Sequence, residues 1–216
     1  MSINILSVLL SLPKRIFEKR RLFEPYINKK EHAVLTVRST IILAALAYLS
    51  GCASGAKMEN MVYDGPLKQY DTHLADNMGL TKVSGGEETN PAWTSEIDDD
   101  AFSGALKESL TAQGLLSDNG RYQLEVVMVE VDQPMFGLDM AVTTHIKYIL
   151  SDRENGNAVV MDETIAAQYT ATLGDAFAAV KRLRLANEGS GKANITALLD
   201  KLSALQIDPG EISLTQ

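Results

Sequence analysis

Residues 140–171 read MAVTTHIKYILSDRENGNAVVMDETIAAQYTA. In the first half Met140, Val142, Ile146, Tyr148 and Leu150 fall on one face, and Thr143, His145 and Lys147 on the other. In the second half Val159, Met161, Ile165, Ala167, Tyr169 and Ala171 oppose Asp162, Thr164, Gln168 and Thr170. A two-residue period rich in β-branched and aromatic side chains marks a half-covered antiparallel strand. Asn155-Gly156 between the runs is a strong hairpin signal.

A third strand-like run precedes this hairpin. Tyr122, Leu124, Val126 and Met128 share one face, and Val127, Val129 and Val131 the other. Apolar residues on both sides predict a strand that is doubly buried over part of its length, or bulged. Gln133-Pro134-Met135-Phe136-Gly137 then forms an apolar loop. Filling the core is its more economical reading, since Met and Phe usually close gaps; an exposed contact is the other. Upstream, Phe102, Leu106 and Leu110 recur at helical spacing behind the acidic stretch Asp98-Asp99-Asp100, which predicts a helix over 98–113 ending near Gly114. A short strand is expected at 80–84, and Asp118-Asn119-Gly120 is a turn.

Downstream, Ala176, Phe177, Val180 and Leu183 begin a helical pattern that Ile195, Leu198, Leu199, Leu202 and Leu205 continue. Gly189 and Gly191 interrupt it at about 1 kcal/mol each relative to alanine, so a kink or break is expected there. The order strand, helix, three strands, helix predicts an α+β fold: an antiparallel sheet of about four strands with two helices packed on one face. The expected domain spans 80–206, preceded by a tether and irregular segment at 52–79 and followed by a tail at 207–216.

The 216 residues hold 20 basic and 28 acidic side chains, and the imbalance is uneven. Residues 1–51 carry a net +5, and residues 52–216 a net −13. So acidic a body argues against general binding of nucleic acid or of anionic lipid.

At the junction lies Leu49-Ser50-Gly51-Cys52, behind the apolar run from Ile41 to Leu49 and the cation Arg38. That run suits the core of a signal peptide and is far shorter than the roughly 20 residues that span a bilayer. Cys52 is the only cysteine, so it cannot form an intramolecular disulfide. The tetrapeptide resembles the lipobox of bacterial lipoproteins. The resemblance implies cleavage between Gly51 and Cys52, acylation of Cys52, and removal of 1–51 as a signal peptide. Ala53 after the cysteine, rather than aspartate, implies outer-membrane sorting in a Gram-negative cell, with the body facing the periplasm. Position 52 is late for such a cysteine. Translation is expected to begin near Val34 or Leu35, giving a leader of about 18 residues; a long basic N-terminal region is the alternative.

The other motifs are weaker. Gly189-Ser190-Gly191-Lys192 lacks the first glycine and the final Ser or Thr of a phosphate loop and lies within helical sequence. His73 and His145 are the only histidines beyond residue 51, with no ligand set around them at metal spacing, so no metal and no cofactor is expected. No Gly-x-Ser-x-Gly or singled-out carboxylate pair suggests an enzyme. Arg182-Leu183-Arg184 carries two of the few cations of the acidic part. Pro134, Phe136, Arg182 and Arg184 are the candidate partner contacts; pairing of the arginines with Glu188 and with sheet acids is the alternative.

The block formed by Thr89-Asn90-Pro91-Ala92-Trp93-Thr94, Gln133-Pro134, Tyr169-Thr170-Ala171-Thr172, the run Arg182 to Gly189, and Asn194-Ile195 resembles a family of uncharacterised proteobacterial lipoproteins. Its members sometimes carry an acyltransferase label, but the hexapeptide repeats of a β-helix acyltransferase are absent here. The order of elements is similar to that of auxiliary lipoproteins of envelope transport. The resemblance brings no known activity with it; the expected function is a lipid-anchored, non-catalytic binding or assembly module whose sheet face or loop at 134–137 contacts an envelope protein or a lipid carrier. A small periplasmic hydrolase or transferase is the alternative.

Overall fold

The computed structural model describes residues 54–90 and 94–207. The lipobox, the leader, Trp93 and the tail beyond 207 lie outside the described residues. The elements are α1 (Met58–Met61), β1 (Met78–Ser84), α2 (Asp99–Ala112), β2 (Tyr122–Asp132), β3 (Met140–Asp152), β4 (Ala158–Ala171) and α3 (Ala179–Ala204).

The four strands form one sheet in the order β1-β2-β3-β4. β2, β3 and β4 are antiparallel neighbours, as the alternation predicts. β1 runs parallel to β2, which corrects the all-antiparallel expectation. The reason is the helix between them: a chain that crosses the sheet through α2 returns in the direction it left. The sheet is therefore mixed, and the α+β class stands.

α2 matches its expected position. Asp98 caps it, its carboxylate accepting the Ala101 amide at 2.7 Å, and Asp99 and Asp100 sit where the helix dipole favours negative charge. Gly114 closes it at φ +67°, the left-handed conformation that favours glycine after a helix. Its Phe102, Leu106 and Leu110 meet Ile195, Leu198, Leu199 and Leu202 of α3 in one core under Tyr122, Leu124, Val126, Ile146, Tyr148 and Leu150. Both helices thus cover the same sheet face.

Besides a register shift at Thr81 on β1, two bulges adjust the strands. At the first, Met128 pairs with Ile146 and Glu130 with His145, leaving Val129 as the extra residue. This resolves the double apolar face of β2: Val129 turns out to solvent, and Val131 turns in towards the core. At the second, Leu150 pairs with Met161 and Ser151 with Val159, so Val160 is extra. Val160 packs on the core and Val159 is exposed, the reverse of the strict alternation.

The segment 54–79 is not a loose tether. Ala56, Met61, Tyr63 and Leu74 are buried in the main core. The Ala56 amide donates to the Glu96 carbonyl at 2.9 Å, and the Tyr63 amide donates to the Ser109 hydroxyl at 3.0 Å. Packing therefore begins well before residue 80.

α3 also departs from expectation, since it runs unbroken through both glycines. They are places of close approach. A Cβ on Gly189 would meet the base of the Tyr169 ring, and one on Gly191 would lie 2.7 Å from the Met61 sulfur. Between and beyond them, side chains staple the helix to the sheet backbone. The Ser190 hydroxyl accepts the Thr144 amide at 3.0 Å and donates to the Ala167 carbonyl at 2.8 Å. Asn194 donates to the carbonyls of Thr144 at 3.1 Å and Ile165 at 3.0 Å, and accepts the Tyr148 hydroxyl at 2.8 Å.

This packing separates the two glycines in a stability test. Gly189→Ala is expected to destabilise by about 1–3 kcal/mol, because a ring fixed on β4 cannot withdraw at its base. Gly191→Ala gains up to about 1 kcal/mol of helix propensity but must displace the sulfur of the buried Met61, a flexible chain that yields more readily than a ring base. Thermal melts should therefore show a smaller loss for Gly191→Ala than for Gly189→Ala.

Candidate functional site

At one end of the domain β2 gives way to β3 and β4 gives way to α3. The sheet stops at Asp132, Met140 and Ala171, so the connections at 133–139 and 172–178 project beyond both layers. Their large apolar side chains stand out from the body, while Ala176 is buried and Pro134 half-buried at the loop bases. Met135 is 96% exposed, Phe136 87% and Phe177 95%, with Leu138 also exposed. Filling the core, the more economical sequence reading of Met135 and Phe136, is thus overturned.

One side chain joins the two loops. Arg182 is 4% exposed, so it cannot itself meet a partner as the sequence reading had it. Its guanidinium donates to the carbonyls of Ala176 at 2.8 Å, Phe177 at 2.7 Å and Gly137 at 3.2 Å. The planar fork of donors suits three converging carbonyls. The second loop is closed further by Asp175, whose carboxylate accepts the Thr172 amide at 2.7 Å and hydroxyl at 2.9 Å; these bonds hold its pKa below the ordinary carboxylate value.

The first described residue lies at the same end. The Ser54 hydroxyl accepts from Arg184 at 2.6 Å, and its carbonyl accepts the Ser95 hydroxyl at 2.9 Å. The Asn187 amide spans from the Ser95 carbonyl at 2.5 Å to the Gln133 side chain at 3.3 Å, reaching the base of the first loop. Arg184 also pairs with the buried Glu188 at 3.3 Å. Glu188 in turn accepts the Lys57 amide at 3.0 Å and the Asn60 side chain at 2.9 Å. Of the candidate contacts, Phe136 is thus exposed, Pro134 is half-buried at the loop base, Arg184 fastens the N-terminal segment, and Arg182 clasps the loops.

Along α3 runs an open groove of about 770 Å³. Leu185, Gly189, Ala193, Thr196 and Ala197 line its floor; Asn60, Tyr169 and Asp175 stand around it. Most of its charged rim is compensated, Asp175 being held by hydrogen bonds alone. Lys192 pairs with Asp64 at 2.6 Å, and Lys68 with Asp200 at 2.5 Å. Gly189-Ser190-Gly191-Lys192 is helical here, with Ser190 buried, so its amides are not gathered around a phosphate.

Two further clusters were not legible in the sequence. The bulge at Val129 turns Glu130 and Asp132 outward beside His145, and the three ligand atoms lie within 4.8 Å of one another. Without the extra residue both carboxylates would point inward like Met128. These groups could together offer a cation three ligands, all of them solvent-accessible. As they stand, His145 lies 3.5 Å from the Asp132 carboxylate. Separately, burial pushes the Glu96 carboxyl above its ordinary pKa, against the Gln133 amide that donates to it at 2.5 Å. It borders a small cavity of about 100 Å³ shared with Glu87 and Glu130, with no hydroxyl or thiol nucleophile among the lining residues.

At the opposite end, Asp71 ties down the chain after α3. It accepts the Ile207 amide at 3.0 Å and the His73 amide at 2.9 Å, and these bonds lower its pKa to about 2. A lowered folded-state value means stabilisation above the unfolded value near 3.8, lost as pH falls from about 4 towards 2. The protection of the Ile207 amide, taken against its intrinsic exchange rate at each pH, should therefore fall over that window, ahead of amides in α3.

No family model matches this chain, and no curated protein matches it. Solved structures do. A Xanthomonas campestris protein of family DUF330 aligns over 70% of this chain and 94% of its own, with a TM-score of 0.51 at 12% identity. A putative lipoprotein from Caulobacter crescentus aligns over 62% of this chain and 91% of its own, with a TM-score of 0.42 at 14% identity. A minor lipoprotein from Acinetobacter baumannii aligns over 64% and 94%, with a TM-score of 0.41 at 16% identity. What the Xanthomonas likeness shows is the fold.

Proposed function

We propose that the protein is a lipoprotein of the Gram-negative envelope, acylated at Cys52, held at the outer membrane facing the periplasm, and acting as a non-catalytic binding or assembly module. The observation that carries this reading is the fastening of Ser54 to Arg184 and Ser95, two residues after the lipobox cysteine. A body bonded so close to the acylation position is held against the membrane rather than swung on a long leash. An acidic chain, in turn, draws its attachment from lipid rather than from surface charge.

The groove along α3 offers the module a surface for an envelope protein partner. Its apolar floor and largely paired rim suit an extended segment or helix of moderate hydrophobicity. In the groove Glu188 and Asp200 are held in ion pairs with Arg184 and Lys68, and Asp175 in hydrogen bonds to Thr172, so the hydrolase or transferase reading draws no support from it.

Labelled palmitate tests the anchor. The wild type should take up label, and Cys52→Ala should take up none. A photo-crosslinking residue at Ala193 or Thr196 tests the groove. It should trap one stoichiometric envelope protein, and a crosslinker on the outer sheet face at Thr164 should not. Equal trapping from both positions would remove the groove from the account.

A further inference from the structure

We propose that the loop pair 133–139 and 172–178 is a second membrane contact, whose tips Met135, Phe136, Leu138 and Phe177 enter the leaflet to which Cys52 is anchored. This rests on the lipid-anchor reading and adds to it the orientation of the body.

Three observations carry it. The tips are large, apolar and exposed, and they share one end of the domain. Exposed apolar residues gathered at projecting loop ends mark an interaction surface, where scattered single ones would not. Second, the loops are not loose. The buried Arg182 guanidinium binds the backbone of both, so the tips are presented together with little ordering left to lose on contact.

Third, the described chain emerges beside them. Ser54 is linked through Ser95 and Asn187 to Gln133 at the foot of the first loop. From Ser54 back to Cys52 the chain reaches at most about 7 Å. A bilayer holding the lipid is therefore within reach of the tips, whereas the outer face of the sheet, with Thr143, Lys147, Thr164 and Gln168, points elsewhere.

The surroundings also say which lipid. Asp98, Asp99, Asp100 and Glu88 border a depression next to Gly55, and Asp139 adjoins Leu138. These acids repel an anionic surface. Insertion is driven by the apolar tips, so zwitterionic lipid is the favoured surface.

The test uses the full chain, made with its own leader, purified from membranes in detergent and reconstituted into phosphatidylcholine vesicles. Phe136→Cys, Phe177→Cys and, as a control, Thr164→Cys each carry an environment-sensitive maleimide dye. Dye at 136 and 177 should shift to the blue and be quenched several-fold more by nitroxide-labelled lipids than dye at 164. Adding phosphatidylglycerol should weaken that quenching. Solvent-like emission at 136 and 177 on vesicles that retain the protein would overturn the inference and leave the anchor intact. Efficient crosslinking of those positions to a protein in cells, without lipid quenching, would likewise overturn it and reassign the tips to a protein partner. Failure of the anchor itself is read separately: the wild type would then take up maleimide at a free Cys52 thiol.

Discussion

Asn194→Ala is expected to lower folding stability by about 4 kcal/mol, the largest loss from a single side chain away from the apolar core. The asparagine is fully buried and fully employed. It accepts from Tyr148 and donates to the backbone of Thr144 and Ile165. Its removal leaves the Tyr148 hydroxyl in the interior without a partner, and each such orphaned group costs about 1–3 kcal/mol. The cavity adds to this. Against a typical net stability of about 5–15 kcal/mol the loss is severe. Urea unfolding should show a lower midpoint with an unchanged slope. Tyr148→Phe removes the hydroxyl together with its need for a partner, so the double variant should be less unstable than the two separate losses added together. Additivity would mean that the pair is not coupled.

The second large effect concerns location. An unprocessed leader could itself keep a Cys52→Ala chain at the membrane, so the substitution is best made behind a leader cleaved by the general signal peptidase. The chain should then move almost entirely from the membrane to the soluble periplasmic fraction. Two or more acyl chains contribute about 0.8 kcal/mol per buried methylene and make attachment stable. The loop tips cannot substitute for them. Full burial of a Phe, Leu or Met side chain is worth about 1.5–3 kcal/mol, and a tip that only enters the leaflet recovers part of that. Fractionation by ultracentrifugation reads the change directly, and a variant that stays with the membrane would show that the lipid is not what holds the protein there.

The sequence made some of this visible and hid the rest for physical reasons. Period-two alternation exposed β3, and the 3.6-residue stripe behind Asp98 placed α2 to within a residue at each end. The parallel pairing of β1 was hidden because alternation reports which faces are covered and is silent on strand direction. The unbroken α3 was hidden because helix propensity penalises Gly189 and Gly191, while the close approach of Tyr169 and Met61 that requires them is a tertiary fact. The core role of Met61 and Leu74 was hidden by the turn formers around them.

The candidate site was legible only in fragments. Phe136 and the two arginines stood out by composition, but nothing local shows that Arg182 folds inward onto three carbonyls while Arg184 reaches Ser54. The face carried by Glu130 and Asp132 depends on a single extra residue at Val129, and the mixed pattern of β2 offered that bulge only as one of two readings.

The central claim is that the mature polypeptide starts as an acylated cysteine directly attached to the folded body. Mass spectrometry of the N-terminal peptide of protein extracted from membranes tests it most directly. The peptide should begin at Cys52 and carry the mass of a thioether-linked diacylglycerol. A peptide in which Cys52 is an unmodified thiol still joined to Gly51 would contradict the account.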